Sequence, residues 1–318
     1  MRVAVIGAGS IGGHMAVRLA RAGADVSVVA RGAHGAAMAR EGLVLESGGE
    51  TIRVHPRVAE PARVAELGAQ DAVVVAVKAL SLDGIAPLLT PLMGEGTMAL
   101  FAVNGLPWWY MEELCGTAHL PALEMGLRLR GVVPVAQVLG CVANSANHKA
   151  GPGVIHNSGR ANRFVIGRAD GAECPKGRAL ADALTRGGAE GVWSEDIRYD
   201  VWQKLLTNGW SAPLGCLTGL TTKAVAADPA LKRIMASLID ELRSLANRCG
   251  VALPELPLPD AAQLPDHRTS MLQDLQAGIP VEFDAVLGAP HYLARLMGSD
   301  SRARDTVLDL LRWRLKAA

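Results

Sequence analysis

Apolar and polar positions divide the chain into two parts with different periods. In the first part, short β-branched and small apolar runs at Arg2–Ile6, Asp25–Ala30, Ala72–Val77 and Met98–Val103 are interleaved with helical stretches such as Ile11–Ala22. Strands buried on both faces read as unbroken Val/Ile/Ala runs, and their alternation with helices predicts a parallel, doubly wound α/β sheet. A second group of short strands is expected in "GVVPVAQVLGCVANSA", "GVIHNSG" and "RFVIGR", followed by a helix over Lys176–Arg186 and the short run "EGVWS". From Asp196 onward the pattern is amphipathic with hardly a strand-like run. Its best helix takes Asp228 as N-cap and Pro229 as first residue, carries Leu231, Ile234, Met235, Leu238, Leu242 and Leu245 on one face, and stops at Gly250. The change of period places a boundary near Glu195, with an α/β domain over residues 1–195 and an all-α domain over 196–318. The segment "LPELPLPDAAQLP" is a proline-rich connection inside the second.

A length of 318 residues is enough for two such cores. Charge narrows the partners. With 32 Lys and Arg against 31 Asp and Glu, and no basic run, the chain lacks the footprint of a nucleic-acid or anionic-membrane binder. Its longest apolar stretches, such as "DAVVVAVKAL", are of strand length and interrupted by charge, so no membrane span is expected. The start "MRVAVIGAG" passes straight into a strand without the features of an export signal. Five cysteines, dispersed and without a C-x-x-C pair, fit reduced thiols in a cytoplasmic protein, and the eight histidines show no metal-ligand spacing.

The first site is carried by "VAVIGAGSIGG", which places Gly7-x-Gly9-x-x-Gly12 after a predicted strand, with Ser10 and Ile11 opening a predicted helix. In that context Gly7 serves the tight turn, Gly9 the close approach of a pyrophosphate and Gly12 the packing of helix on strand. The first domain is therefore a Rossmann-type dinucleotide-binding domain. At the end of the second strand an Asp or Glu would read the ribose of NAD, but "DVSVVARGAH" offers Arg31, which suits the 2′-phosphate of NADP. The alternative for Arg31 is a surface arginine beside the loop. Lys78 and Asn104 close two further apolar strands, where the C-terminal strand ends of such a sheet border the ligand crevice. Each is also an ordinary turn residue.

In "DVWQKLLTNGWSAPL", Asp200, Lys204, Asn208 and Ser211 fall along one stripe of an otherwise apolar helix. Two readings fit: a solvated face with a weak Asp200–Lys204 pair, or the lining of a cleft in which Lys204 donates a proton to a substrate.

Taken together, "GAGSIGG", Arg31, "VKAL", "VNG", "VWQKLLTN" and "SMLQDLQAGIPVEFDAVLG" resemble the ketopantoate reductase (2-dehydropantoate 2-reductase) family, nearly end to end. The resemblance implies NADPH-dependent reduction of a 2-keto acid to a 2-hydroxy acid, with ketopantoate as first candidate. By the same resemblance Lys204 is the general acid and Glu282 a carboxylate that orients and supports it. Asn208 and Ser270 are then substrate ligands, and Asn104 and Lys78 lie where cofactor and substrate meet. The chemistry agrees with the residue types, because an ammonium stabilises the charge that develops on the carbonyl oxygen and can protonate it.

The family usually offers another asparagine four residues after Asn208, and this chain has Ala212. Trp108, Trp109 and Tyr110, just beyond Asn104, are either core or dimer packing or the wall of a pocket for a larger substrate. The alternatives to a ketopantoate reductase are thus a reductase of a bulkier branched or aromatic 2-oxo acid, a 2-hydroxyacid dehydrogenase running oxidatively with NAD, and a dinucleotide sensor without catalysis. The expected partner is a small 2-keto acid, with room for a homodimer.

Overall fold

The computed structural model describes residues 1–116, 118 and 126–317. The chain forms two compact units, one of Met1–Asn104 with Glu124–Ile197 and the other of Gly105–Leu123 with Arg198–Ala318.

The first unit is built on one mixed sheet. Its strands are β1 (Arg2–Ile6), β2 (Asp25–Val29), β3 (Leu43–Ser47), β4 (Glu50–Val54), β5 (Arg57–Ala59), β6 (Ala72–Val75), β7 (Met98–Phe101), β8 (Val138–Gly151), β9 (Val154–Arg168) and β10 (Glu190–Trp193). They lie in the order β4-β3-β9-β8-β7-β6-β1-β2-β5, with β10 paired to β9. From β5 to β8 every pairing is parallel, as the unbroken apolar runs require. Because β1 is flanked by β2 on one side and β6 on the other, the winding reverses there, which opens a ligand crevice at the carboxyl ends of these strands.

Helices α1 (Ser10–Arg21), α2 (Gly32–Glu41), the short α3 (Ala86–Leu89) and α5 (Pro175–Arg186) belong to this unit. Met15 and Leu19 of α1, with Leu180 and Leu184 of α5, pack on Val3, Val5, Val74, Leu100, Leu139, Phe164 and Ile166 in one buried cluster. Within it lies a polar island. Arg18 is almost fully buried; its Nε donates to His14 Nε2 (3.1 Å) and its Nη2 to Ser47 Oγ (2.9 Å), while His14 Nδ1 meets Asn147 Oδ1 (2.8 Å). Burial holds His14 down to about 4, so the ring is neutral and accepts the arginine's hydrogen.

The expected short strands after residue 131 are in fact two long antiparallel ones, β8 and β9. The expected runs fall largely within these two strands, and the residues that join them into continuous strands, such as residues 147–151 at the end of β8, carry no apolar run of their own. The first part of β9 pairs with β3 and the later part with β10.

The second unit is helical: α4 (Trp108–Cys115), α6 (Ile197–Thr218), α7 (Thr222–Ala227), α8 (Pro229–Arg248), α9 (Ser270–Gln276), α10 (Ala289–Leu296) and α11 (Arg302–Ala317). Asp228 caps α8 by accepting from the amides of Ala230 (2.8 Å) and Leu231 (2.9 Å), and Gly250 turns the chain away at φ +79°. Met235, Leu238, Leu242 and Leu245 are buried as their period demands, joined by Ile239; Ile234 falls at the edge of the stripe and is exposed. No disulfide joins the cysteines. Among the described residues no helix is long and apolar enough to cross a membrane, and no cluster of His, Cys, Asp or Glu has the arrangement of a metal site.

Candidate active site

The first unit brings one set of expected site residues to one edge of its sheet. β1 ends at Ile6, and Gly7 turns the chain with φ +88°, a conformation that only glycine adopts without strain. A side chain at Gly7 would also meet the Ala76 carbonyl oxygen and Val77 Cγ1, both at 2.8 Å, because the ends of β1 and β6 lie side by side. A Cβ on Gly12 would run into the Gly7 carbonyl and lie 3.0 Å from Ala76 Cβ, so helix α1 sits directly on the loop. Gly9 differs, since a Cβ there would have no protein atom within 4 Å. Gly7 and Gly12 are thus glycines for the protein's own packing, whereas Gly9 faces open space.

Gly9 is also the N-cap of α1. It gives no side-chain cap, and the first turn, beginning Ser10-Ile11, contains no acidic residue. The N–H groups of a helix start carry partial positive charge, and here the geometry leaves them to a ligand anion. A dinucleotide pyrophosphate fits this cradle.

The other members lie at neighbouring strand ends. Arg31 occupies the N-cap position of α2, two residues past β2, and is exposed. Lys78 follows β6, half-buried, with its backbone carbonyl accepting from the Ser81 amide (2.8 Å). Asn104 follows β7 and is exposed. In space the strands run β7-β6-β1-β2, so Asn104, Lys78, the glycine loop and Arg31 form one row along the carboxyl edge.

The second unit carries the other set. Along α6, Val201, Trp202, Leu205, Leu206, Trp210 and Leu214 are buried, whereas Lys204 and Asn208 are half-buried and stand one turn apart. Gly209 lets α8 approach closely, since a Cβ there would strike Leu242 Cδ1. Pro213 sits inside the helix and cannot donate an amide hydrogen to the turn behind it, next to the Asn208 region. Ser270 is the exposed first residue of α9, whose N-cap Thr269 accepts from the Leu272 amide (3.3 Å). Glu282 is half-buried, two residues ahead of a π-helical turn over Asp284–Gly288.

That turn has a visible cause. The Leu106 amide donates to the Ala285 carbonyl (3.0 Å), and Gly105 (φ +85°) lies so close that a Cβ would collide with the same oxygen. An outside donor claims a carbonyl of the helix, and the helix widens around it. Gly105→Ala combines a disfavoured φ with this collision; we expect a loss of about 1–3 kcal/mol, read as a lowered Tm. An unchanged Tm would contradict the contact.

Trp108, Trp109 and Tyr110 are 1%, 2% and 1% exposed, so they belong to the interior of the helical unit rather than to an open wall. The Tyr110 hydroxyl accepts from Trp202 Nε1 (2.9 Å), and burial pushes its pKa up to about 12, which keeps it neutral. Ala212 is buried as well. Two features gave no signal in sequence: the dependence of the π turn on Gly105, and the contacts of His34, three residues after Arg31, which bridge the glycine loop to the β8–β9 turn. Neither involves a motif.

Comparison with known proteins bears on both units. The family description "Ketopantoate reductase PanE/ApbA" matches residues 3–171, and its C-terminal counterpart, "Ketopantoate reductase PanE/ApbA C terminal", matches residues 196–314. A 2-dehydropantoate 2-reductase of Mesorhizobium japonicum is 36% identical over 320 residues, spanning 98% of this chain and 97% of its own. A crystal structure from Ralstonia solanacearum MolK2, assigned as a ketopantoate reductase, superposes with a TM-score of 0.88 at 31% identity, covering 99% of this chain and 98% of its own. A D-mandelate dehydrogenase solved with NADH and anilino(oxo)acetate shares the fold at a TM-score of 0.83 and 19% identity, covering 100% of this chain and 99% of its own. With matches over both units, this chain is a dinucleotide-dependent oxidoreductase of the kind that reduces 2-keto acids, and it belongs to the ketopantoate reductase family.

Proposed function

We propose that the protein reduces ketopantoate to pantoate with NADPH. The observation that carries this reading is that one chain has both a dinucleotide cradle in its first unit, open at Gly9 and followed by Arg31, and, within its second unit, Lys204 and Asn208 one turn apart on α6. The 36% identity to a 2-dehydropantoate 2-reductase supports the choice of substrate.

Gly9, with Ser10 and Ile11 at the start of α1, would hold the pyrophosphate, and Gly7 and Gly12 shape the tight turn and the helix packing that present this site. Arg31 would hold the 2′-phosphate as a charged donor, and Lys78 and Asn104 would hold the cofactor toward its reacting end. When bound, the nicotinamide would supply the hydride, a hydrogen with two electrons, that reduces C2 of the keto acid. As C2 is reduced, its carbonyl oxygen gains negative charge; Lys204 stabilises that charge and delivers a proton from Nζ, giving the hydroxyl. The balance is keto acid, NADPH and one proton to hydroxy acid and NADP⁺. Glu282 orients the lysine and supports its charged form. Asn208 and Ser270 hold the substrate's polar groups, Asn208 from the same face of α6 as the acid.

The decisive experiment follows NADPH oxidation by the purified protein with ketopantoate beside a panel of branched and aromatic 2-keto acids, with NADH as control. Fast turnover of ketopantoate supports the reading; fast turnover of a bulkier keto acid alone would overturn ketopantoate as substrate. Arg31→Ala tests the cofactor: loss of a charged hydrogen bond of about 1.5–3 kcal/mol should raise the Kd for NADPH about 10–100-fold and leave that for NADH nearly unchanged. Equal effects on both cofactors would remove Arg31 from the 2′-phosphate site.

A further inference from the structure

His34 stands on the first turn of α2, three residues after Arg31, and is half-buried. Its two ring nitrogens meet two backbone groups of opposite kind. The Gly153 amide donates to Nδ1 (2.9 Å), and Nε2 lies 2.7 Å from the Ala8 carbonyl oxygen. An amide can only donate and a carbonyl can only accept, so the ring is neutral, with its hydrogen on Nε2 pointing at Ala8. Ala8 is the residue between Gly7 and Gly9, so this hydrogen bond falls in the middle of the pyrophosphate loop.

The other end is equally anchored. Gly153 forms the turn between β8 and β9 at φ +75°, and a Cβ there would lie 3.3 Å from Ala37 Cβ and 3.6 Å from the Met38 nitrogen, both on α2. Its carbonyl accepts from the Val44 amide (2.9 Å), the second residue of β3. At the start of α1, a Cβ on Gly13 would lie 2.8 Å from Ile155 Cγ1 in β9, so the same hairpin braces both helices that border the loop. Peptide planes are rigid, so fixing the Ala8 carbonyl also fixes the direction of the Gly9 amide in the same peptide unit. Gly9 is the N-cap of α1 and the loop glycine that faces open space.

We infer that His34 is a positioning residue for the dinucleotide: by joining Ala8 to Gly153 through a single neutral ring it holds the pyrophosphate loop, and Arg31 one turn away, in the shape that receives the cofactor. The inference rests on the dinucleotide reading of the site and deepens it. Both ring nitrogens are taken by backbone groups, so the ring acts through the loop it holds, on cofactor affinity and not on the chemical step.

Three variants test it: His34→Ala, His34→Leu, which keeps most of the packing volume without polar atoms, and His34→Gln, whose amide can donate to Ala8 and accept from Gly153. Titration calorimetry with NADPH, thermal melting, and steady-state KM and kcat are measured for each. Loss of one hydrogen bond of ordinary strength predicts a Kd and a KM for NADPH raised about 5–10-fold in the leucine and alanine variants, with kcat at saturating NADPH within about twofold of the original. His34→Gln should recover most of the affinity. A purely structural histidine would lower the melting temperature and leave the Kd of the folded protein unchanged, and that result overturns the inference. So does a glutamine variant as weak as the leucine one. If the unsubstituted protein bound neither NADPH nor NADH, the dinucleotide reading itself would fall with it; normal binding by the original chain and by His34→Leu would remove the role of His34 alone.

Discussion

Lys204→Ala is expected to lower kcat for keto-acid reduction by about 10²–10⁴-fold, the span associated with a positioned general acid, while the Kd for NADPH stays within about twofold. The split follows from where the residues lie. The proposed cofactor residues lie within Met1–Asn104 of the first unit, and Lys204 on α6 of the second, so by the proposed roles removing the ammonium should take away charge stabilisation and the proton and spare cofactor affinity. The fold should tolerate the change, because Lys204 is only half-buried on a helix whose apolar face is made by Trp202, Leu205, Leu206 and Trp210. Stopped-flow measurement of the reduction step, with calorimetry of NADPH binding on the same preparation, checks both halves. A kcat within threefold of the original would mean that Lys204 is a solvated helix residue and that the proton comes from elsewhere.

The second large effect separates two glycines of the same motif. Gly12→Ala must move the Gly7 carbonyl or lift α1 from its strand, and overpacking of this kind costs about 1–3 kcal/mol. Its Tm should fall by several degrees and dinucleotide binding should be lost with the loop geometry. Gly9→Ala meets no protein atom within 4 Å, so its Tm should match the original, yet its methyl group stands where a pyrophosphate must approach and its Kd for NADPH should rise at least tenfold. Scanning calorimetry and ligand titration of the two variants side by side distinguish the cases. A Gly9→Ala protein that binds NADPH normally would show that the open space is not the pyrophosphate site.

Much of this was legible locally. Alternation of apolar strands with helices, the Gly7-x-Gly9-x-x-Gly12 turn and the Asp228-Pro229 helix start are properties of short segments, in which side-chain period, capping and φ preference act between residues a few positions apart. The winding rule carried the reading one step further, from strand order to the carboxyl edge where Arg31, Lys78 and Asn104 now stand in a row. The limits were local as well. The runs in β8 and β9 read as separate short strands, and what the pattern does not record is their continuity: the end of β8 past Ala146 and the link between "GVIHNSG" and "RFVIGR" have no apolar run and are strand through backbone pairing along the hairpin. Ile234 shared the period of its helix but lies beyond the width of the surface that α8 covers.

The sequence by itself therefore determined the two kinds of architecture and the glycine loop after β1, since each is written in contiguous or periodic residues. Tertiary structure alone decided that Gly105 and Trp108–Cys115 pack with the helices that begin some 80 residues later, that the tryptophan cluster is interior rather than pocket wall, and that His34 joins the loop at Ala8 to a turn at Gly153. These are contacts between segments distant in sequence. Their energy depends on backbone carbonyls, amides and cavity shapes that every sequence possesses, so they become visible only once the chain has brought the partners together.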